Sequence, residues 1–176
     1  ATGALVGLST WVRPGGVTLL ITITLLICLR EPISKQTLVG IGMLLGGFLG
    51  LFLPYLLFNG AVSGAIWPTT FYAKQAEYAV LREASLLSRF WRVGRQTAVG
   101  WGILVIPGFI HAVIRGVQEK RWGILTASVW GIGYIGLYAF RLPVTYQHGR
   151  YIMPALAVIL CVGLAETARW ISRIPG

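Results

Sequence analysis

The stretch from Tyr146 to Pro154 is the most polar interruption in the apolar second half of the chain. It gathers an amide, an imidazole, a guanidinium and two phenols between two membrane-length apolar segments, whereas a plain connecting turn favours small residues, Gly and Pro. Arg offers a planar fork of donors to anionic oxygens, and Lys offers a point charge. His148, Arg150 and Lys74 are therefore candidate ligands of a phosphate or a pyrophosphate.

An aromatic belt with snorkelling cations explains the same neighbourhood without any ligand. Tyr72 and Tyr151 are candidates for substrate contact, but for the aromatic residues the belt is the favoured interpretation. For His148 and Arg150 both interpretations stay open. Arg13 is predicted to face the same side of the membrane, and the same two interpretations apply to it.

The acidic and nucleophilic side chains form no catalytic or metal-binding set. The chain contains five Glu and no Asp, which removes half of the usual supply of catalytic and metal-binding carboxylates. It has no Ser-His-acid arrangement and no glycine loop followed by Lys and Ser or Thr. Cys28 and Cys161 lie inside apolar runs without paired spacing, which predicts buried free thiols. We therefore expect no catalytic residue, metal or cofactor in this chain.

The composition is that of a membrane protein. Of the 176 residues, 56% are hydrophobic and 11% are charged, against about 25% charged in an ordinary soluble domain, and the mean hydropathy is +0.74. The net charge of +10 comes from 15 Lys and Arg that lie mostly at the ends of apolar runs and in loops. There they can meet lipid phosphates, so the charge indicates membrane lipids as partners and gives no indication of nucleic acid.

The apolar runs predict an all-α polytopic membrane bundle of about five transmembrane helices and one interfacial amphipathic helix. The chain begins in an apolar run without an initiator Met or a signal peptide, so we expect residues 1–176 to be one membrane domain from a longer chain. Glycines at every fourth position in the second span, Gly42, Gly46 and Gly50, predict close packing against another helix. The spans are placed near residues 17–29, 37–58, 97–114, 122–140 and 151–168, and the interfacial helix near residues 72–93.

The charges of the short loops predict the orientation. The loops at 30–36 and 115–121 and the tail from Arg169 hold seven Lys or Arg, and the short segments of the opposite side hold three. The positive-inside rule therefore places the basic loops in the cytoplasm and the His148 loop outside. Including the five cations of residues 59–95 would make the ratio seven to eight, so this assignment depends on that segment lying in the interface.

Several short blocks resemble the C-terminal half of bacterial polytopic glycosyltransferases of the C-type superfamily, which includes protein mannosyltransferases and the aminoarabinose transferases of lipid A. The resemblance covers most of the chain, and Arg13-Pro14 is similar to an Arg-Pro helix boundary of that family, with Gly15 where Glu is frequent. The blocks are Leu53–Asn59, Ser63–Gly64, Pro68–Lys74, His148–Tyr151 and Pro154.

The resemblance implies a function. Members transfer a sugar from a polyprenyl-phosphate donor to an acceptor at the outer face, with an Asp or Glu of the first external loop as base. That loop is expected upstream of Ala1, so this chain alone is expected to be inactive and to supply the donor site of a parent enzyme in the bacterial cytoplasmic (inner) membrane. Its partners would be the lipid-linked sugar and the rest of the parent chain. The alternatives are a non-enzymatic transporter or flippase subunit for a lipid-linked substrate, and a structural membrane module.

Overall fold

The computed structural model describes residues 1–100, 102–145 and 150–172. Among these residues the chain is helical and has no strand, which confirms the predicted all-α class. The α-helices are α1 (Thr2–Val12), α2 (Val17–Arg30), α3 (Lys35–Ser63), α4 (Thr69–Glu77), α5 (Leu86–Gly94), α6 (Gly102–Gln118), α7 (Trp122–Arg141) and α8 (Met153–Ile171).

Three of these helices, α3, α7 and α8, are long and apolar enough to cross a membrane. They have 29, 20 and 19 residues, and about 20 residues are needed to cross a hydrocarbon core of roughly 30 Å. They correspond to the predictions at 37–58, 122–140 and 151–168. The chain therefore has the character of a multi-pass membrane protein.

The other two predicted spans are shorter helices. The apolar helix at the first of them, α2, has 14 residues, and α6 has 17 residues. Only together are the segment Leu86–Ala98 and α6 long and apolar enough to cross a membrane, and the two are bent by 109° relative to each other. The fourth and fifth crossings therefore stay predictions.

The stretch predicted as one amphipathic helix, residues 72–93, is divided. The first piece, α4, ends at Glu77, a 3₁₀ turn covers Ala79–Arg82, and α5 begins at Leu86. Two contacts explain the division, one long-range and one local. The side chain of Tyr78 is buried in a cluster with Val144 and Tyr151, and Ser85 caps α5 by accepting a hydrogen bond from the backbone N–H of Ser88 at 3.3 Å.

The chain divides into two compact units, Ala1–Ala76 and Glu77–Gly176. In the first unit, α1 packs against α3 through glycines, because a Cβ at Gly3 or Gly7 would overlap the backbone of α3. The glycine of α3 at this contact is Gly47. In contrast, the predicted packing glycines Gly42, Gly46 and Gly50 have nothing within 4 Å of an added Cβ among the described residues.

In the second unit, α6 and α8 run side by side and come close at Gly108 and Gly163. A Cβ on Gly108 would overlap the backbone of Gly163, and one on Gly163 would overlap Val105 of α6. Small residues at such contacts let helix backbones approach in lipid. The core beside them contains Val93, Phe109, Tyr134, Ile135, Ala139, Ile152, Ala155 and Ile159.

The two cysteines are free but exposed, so the prediction that they are buried was wrong. Cys28 lies near the end of α2 and Cys161 lies in α8, and both point away from the chain's own packing. An apolar sequence does not distinguish a side chain that faces the protein core from one that faces lipid, because both environments favour apolar residues.

Candidate anion-binding groove

The site begins with the docking of α5 against the C-terminal half of α7. Ser85 fixes the start of α5, and Val93 near its end is 1% exposed. Gly136 of α7 lies next to the Phe90 ring, since a Cβ added there would make an ordinary contact with it at 3.9 Å. This packing directs Arg89, in the first turns of α5, toward the end of α7.

Arg89 caps the C-terminus of α7. Its Nη1 donates a hydrogen bond to the backbone oxygen of Phe140 at 3.1 Å. The last carbonyls of a helix lack intrahelical partners and carry partial negative charge, so a guanidinium is well suited to this position. The next residue, Arg141, ends the helix, and its Cζ lies 5.5 Å from the centre of the Phe140 ring.

These side chains line an open groove of about 390 Å³. Three guanidinium groups face one carboxylate in it, a formal charge of +2 that attracts an anion. The Nε of Arg89 is buried and has no hydrogen-bond partner among the described residues, which is a costly state that an acceptor oxygen would relieve. The lining residues are Ala79, Arg82, Glu83, Arg89, Phe140 and Arg141.

Two of the predicted site residues lie at the start of α8. Arg150 is exposed, in the turn that precedes the helix. Tyr151 is 7% exposed and packs in the apolar cluster with Tyr78 and Val144, with its ring 5.7 Å from that of Tyr138. The aromatic ring of Tyr151 therefore contributes to the core. His148 lies outside the described residues.

The other predicted site residues belong to the first unit. Tyr72 and Lys74 are on α4, with Tyr72 exposed and in edge contact with Phe71 at 5.5 Å between ring centres. Arg13 follows α1 in an extended conformation and is half-buried. The described structure thus brings Tyr72 and Lys74 together on one helix and Arg150 and Tyr151 together at one helix start.

The groove arginines were missed as a site by the sequence analysis. Arg82 and Arg89 were expected on the wet face of a continuous surface helix. Arg141 was expected at the start of an outer polar cluster that ends at Tyr151, without a binding role of its own. The available signal was Ser85, since Ser before an apolar amphipathic run predicts a new helix start. A helix that begins there places Arg89 one turn inside it.

A second arginine cluster lies at the other end of α7, about 30 Å away for a 20-residue helix. Its centre is the carboxylate of Glu166 in α8, which is 1% exposed. Oε1 lies 3.0 Å from His111 Nδ1 and accepts a hydrogen bond from Arg115 Nη1 at 3.3 Å. Oε2 accepts from Arg169 Nη1 at 3.1 Å and forms an ion pair with Arg121 Nη1 at 3.8 Å. We call these five residues the Glu166 cluster.

A lone histidine near the end of an apolar run, such as His111, is more often a packed or interfacial side chain than a proton relay. The structure instead pairs it with a carboxylate 55 positions away. The signal that could have revealed the pair is Glu166 itself, because an acidic residue within a predicted span needs a charged or hydrogen-bonding partner.

Comparisons with protein-family models, with curated proteins and with solved structures gave no match for this chain.

Proposed function

We propose that this chain is the C-terminal membrane part of a glycosyltransferase that moves a sugar from a polyprenyl-phosphate donor to an acceptor at the outer face of the bacterial cytoplasmic membrane. The observation that carries the proposal is the groove of three arginines at the end of a membrane-length apolar helix. The short blocks that resemble C-type glycosyltransferases supply the reaction class. We assign the groove to donor binding and leave proton transfer to the rest of the parent chain.

The charge of the groove supports the phosphate as its ligand. A phosphate ester presents several anionic oxygens, and guanidinium groups bind such oxygens through paired N–H donors. Arg89 is already oriented by its bond to Phe140, so less conformational freedom is lost when it binds a ligand. Glu83 is the one acidic lining residue and leaves two positive charges in excess.

The surface of α7 supports the prenyl chain as the apolar part of the ligand. Val129, Ile132 and Phe140 are exposed large apolar residues, and with Gly136 they follow helical steps of three and four along one face. Phe140 also lines the groove. A lipid with its phosphate in the groove would therefore find exposed apolar side chains of α7 on both sides of Gly136, where Phe90 of α5 packs.

The same proposal includes the finer topology. We propose that α2 and α6 complete five crossings and that α5 lies in the membrane interface, on the outer side with the groove. Leu87 and Trp91 of α5 are 80% and 71% exposed and lie four residues apart, so they would enter the lipid on one side of the helix. The cations of the short loops would then face the cytoplasm.

We retain Arg150, His148, Tyr151, Lys74, Tyr72 and Arg13 as proposed contacts of the donor. Arg150 is the one of these whose permanent charge and exposure in the turn before α8 suit a lipid phosphate best. Tyr151 would act through the packing of that turn, because its ring is buried.

A transporter or flippase subunit is the second candidate. The buried Glu166 within the membrane-length helix α8 favours it, since ionisable residues inside spans often mark a transport path. The groove would serve either protein as a headgroup site. Sugar transfer by the parent protein, as opposed to movement of the intact lipid between leaflets, distinguishes the two.

Binding of a polyprenyl phosphate to the purified chain in nanodiscs tests the site. We expect Arg82→Gln, Arg89→Gln and Arg141→Gln each to weaken binding about 10-fold or more, because a hydrogen bond to a charged group contributes about 1.5–3 kcal/mol. Polyprenol, which lacks the phosphate, should bind weakly and equally to all variants. Arg150→Lys and Arg150→Ala should give graded losses.

The matched control is Arg92→Gln, on the same helix but outside the groove. It should bind the polyprenyl phosphate as the wild type does. Unchanged affinity in a triple glutamine variant that keeps its helical content and melting temperature would disprove the groove as the phosphate site.

A further inference from the structure

One ring nitrogen of His111 lies within hydrogen-bond distance of two groups. One of these groups can only accept a hydrogen bond, and the other can only donate one. The nitrogen, Nδ1, is 3.0 Å from Glu166 Oε1 and 3.2 Å from the indole Nε1 of Trp170. A carboxylate only accepts hydrogen bonds, and an indole N–H only donates one. An imidazole nitrogen carries either a hydrogen or an available lone pair. Nδ1 can therefore bond Glu166 or Trp170, but not both at once.

We propose that His111 is a proton-operated switch between these two partners at the C-terminal end of α8. With a hydrogen on Nδ1, the imidazole donates to Glu166 and the bond to Trp170 is absent. Without that hydrogen, Nδ1 accepts from the indole of Trp170, and the bond to Glu166 is absent. The switch is independent of the groove and of the proposed transferase function.

The other members of the Glu166 cluster make the exchange possible. When His111 turns to Trp170, Glu166 keeps the hydrogen bonds from Arg115 and Arg169. The buried carboxylate is thus never left without a partner, which would otherwise be the costly step. The His111 and Trp170 rings remain in edge contact, with centres 4.7 Å apart.

The direction of the response follows from the hydrogen-bonding chemistry of the imidazole. The charged groups around it are Glu166 and Arg169 on α8, Arg115 of α6 and Arg121 before α7. Glu119 offsets part of the charge of Arg115 through a salt bridge. Protonated imidazole donates from both nitrogens, so acid must break the bond to Trp170. The side chain of His111 is 36% exposed, so part of the imidazole is not covered by the protein.

Because α6 and α8 stay in close contact at Gly108 and Gly163, the change is confined to the last turns of α8. Histidine is the side chain that ordinarily changes its charge between about pH 5 and 8. We infer that this contact senses acidity at the membrane face that carries the basic loops, with a released Trp170 in acid and a bound Trp170 near and above neutrality.

Nuclear magnetic resonance of the ¹⁵N-indole groups tests the switch in the full chain in micelles between pH 5.5 and 8. The Trp170 signal, assigned with Trp170→Phe, should move with pH as its hydrogen bond is lost. In His111→Asn, which keeps donor and acceptor atoms but does not titrate, the signal should stay constant. Trp122, at the same end of the unit but without a histidine partner in the structure, is the internal control.

The other histidine provides a matched variant, and His148→Asn should leave the Trp170 response unchanged. A pH-independent Trp170 signal in the wild type would overturn the proposal, and so would a response that persists in His111→Asn. If His111→Asn fails to fold, ¹⁵N-labelled histidine in the wild type decides the question. Hydrogen on Nδ1 at both pH values would exclude the switch, and its loss at pH 8 would support it.

Discussion

The second unit carries arginine clusters at both ends of α7, and they differ in how their charge is balanced. In the Glu166 cluster, three arginines and His111 surround one carboxylate that is 1% exposed. In the groove, three arginines stand beside the exposed Glu83. The comparison shows that the number of arginines alone does not identify a site for an external anion. What matters is whether a buried carboxylate of the protein already occupies those arginines.

The difference follows from burial. A carboxylate away from water needs several donors, and the arginines around Glu166 meet that need. The same guanidinium groups are then occupied and have a structural role. The arginines of the open groove share one exposed carboxylate and keep an excess of positive charge that can attract an anion. This difference is why we assign the proposed phosphate site to the groove and not to the Glu166 cluster.

Loss of the central carboxylate should have the largest effect. Glu166→Gln leaves Arg121 and Arg169 without their anion and leaves Arg115 with Glu119 alone. We expect a loss of about 2–3 kcal/mol in unfolding free energy, below the usual range for buried pairs because the arginines reach water. The matched variant Glu83→Gln should change stability by less than about 0.5 kcal/mol. Denaturant unfolding in micelles, followed by circular dichroism, measures both.

If Glu83→Gln proved as destabilising as Glu166→Gln, the groove would also be an internally balanced cluster. Its assignment as a binding surface would then lose its physical basis. Glu83→Gln should instead strengthen phosphate-lipid binding, since it removes the one negative charge that lines the groove.

The close helix contact beside the Glu166 cluster gives the next largest effect. In Gly163→Ala the new Cβ would overlap Val105 of α6, so α6 must move away from α8 and from the carboxylate. Overpacking of this kind costs about 1–3 kcal/mol. Gly133→Ala on α7, where an added Cβ meets nothing within 4 Å, should be neutral or stabilising by about 0.5–1 kcal/mol. Equal melting temperatures of these two variants would contradict the packing described for α6 and α8.

The long apolar helices were predictable because an apolar run long enough to cross a membrane has few structural alternatives to a spanning helix. The spans at α3, α7 and α8 follow from runs of apolar residues alone. The contacts that build the two clusters are not local. Glu166 meets His111 because α6 and α8 lie side by side, and Arg89 meets Phe140 across 51 positions. Neither pairing can be obtained from the periodicity of a single helix.

The division of residues 72–93 shows the same limit on a smaller scale. The apolar and cationic positions do follow helical spacing, but Tyr78 is drawn into a cluster with Val144 and Tyr151, far along the chain. Burial of that ring outweighs the local preference for one continuous helix, because an aromatic side chain contributes a large buried area. The break lets α5 begin as a separate helix, and that helix carries Arg89 to the end of α7.

The smallest effect should come from the cap that starts α5. Ser85→Ala removes the hydrogen bond to the Ser88 N–H, and loss of such a cap costs about 1 kcal/mol. The first turn of α5 should fray, which loosens Arg89 and lowers the affinity for a polyprenyl phosphate about 5-fold, the equivalent of that free energy. The Trp170 indole signal, at the other end of the unit, should not change.

Ser85→Asp should restore the cap but add a negative charge near the groove, so it should recover stability without recovering affinity. An alanine variant that keeps full affinity would show that Arg89 is positioned by its bond to Phe140 alone, and not by the start of the helix.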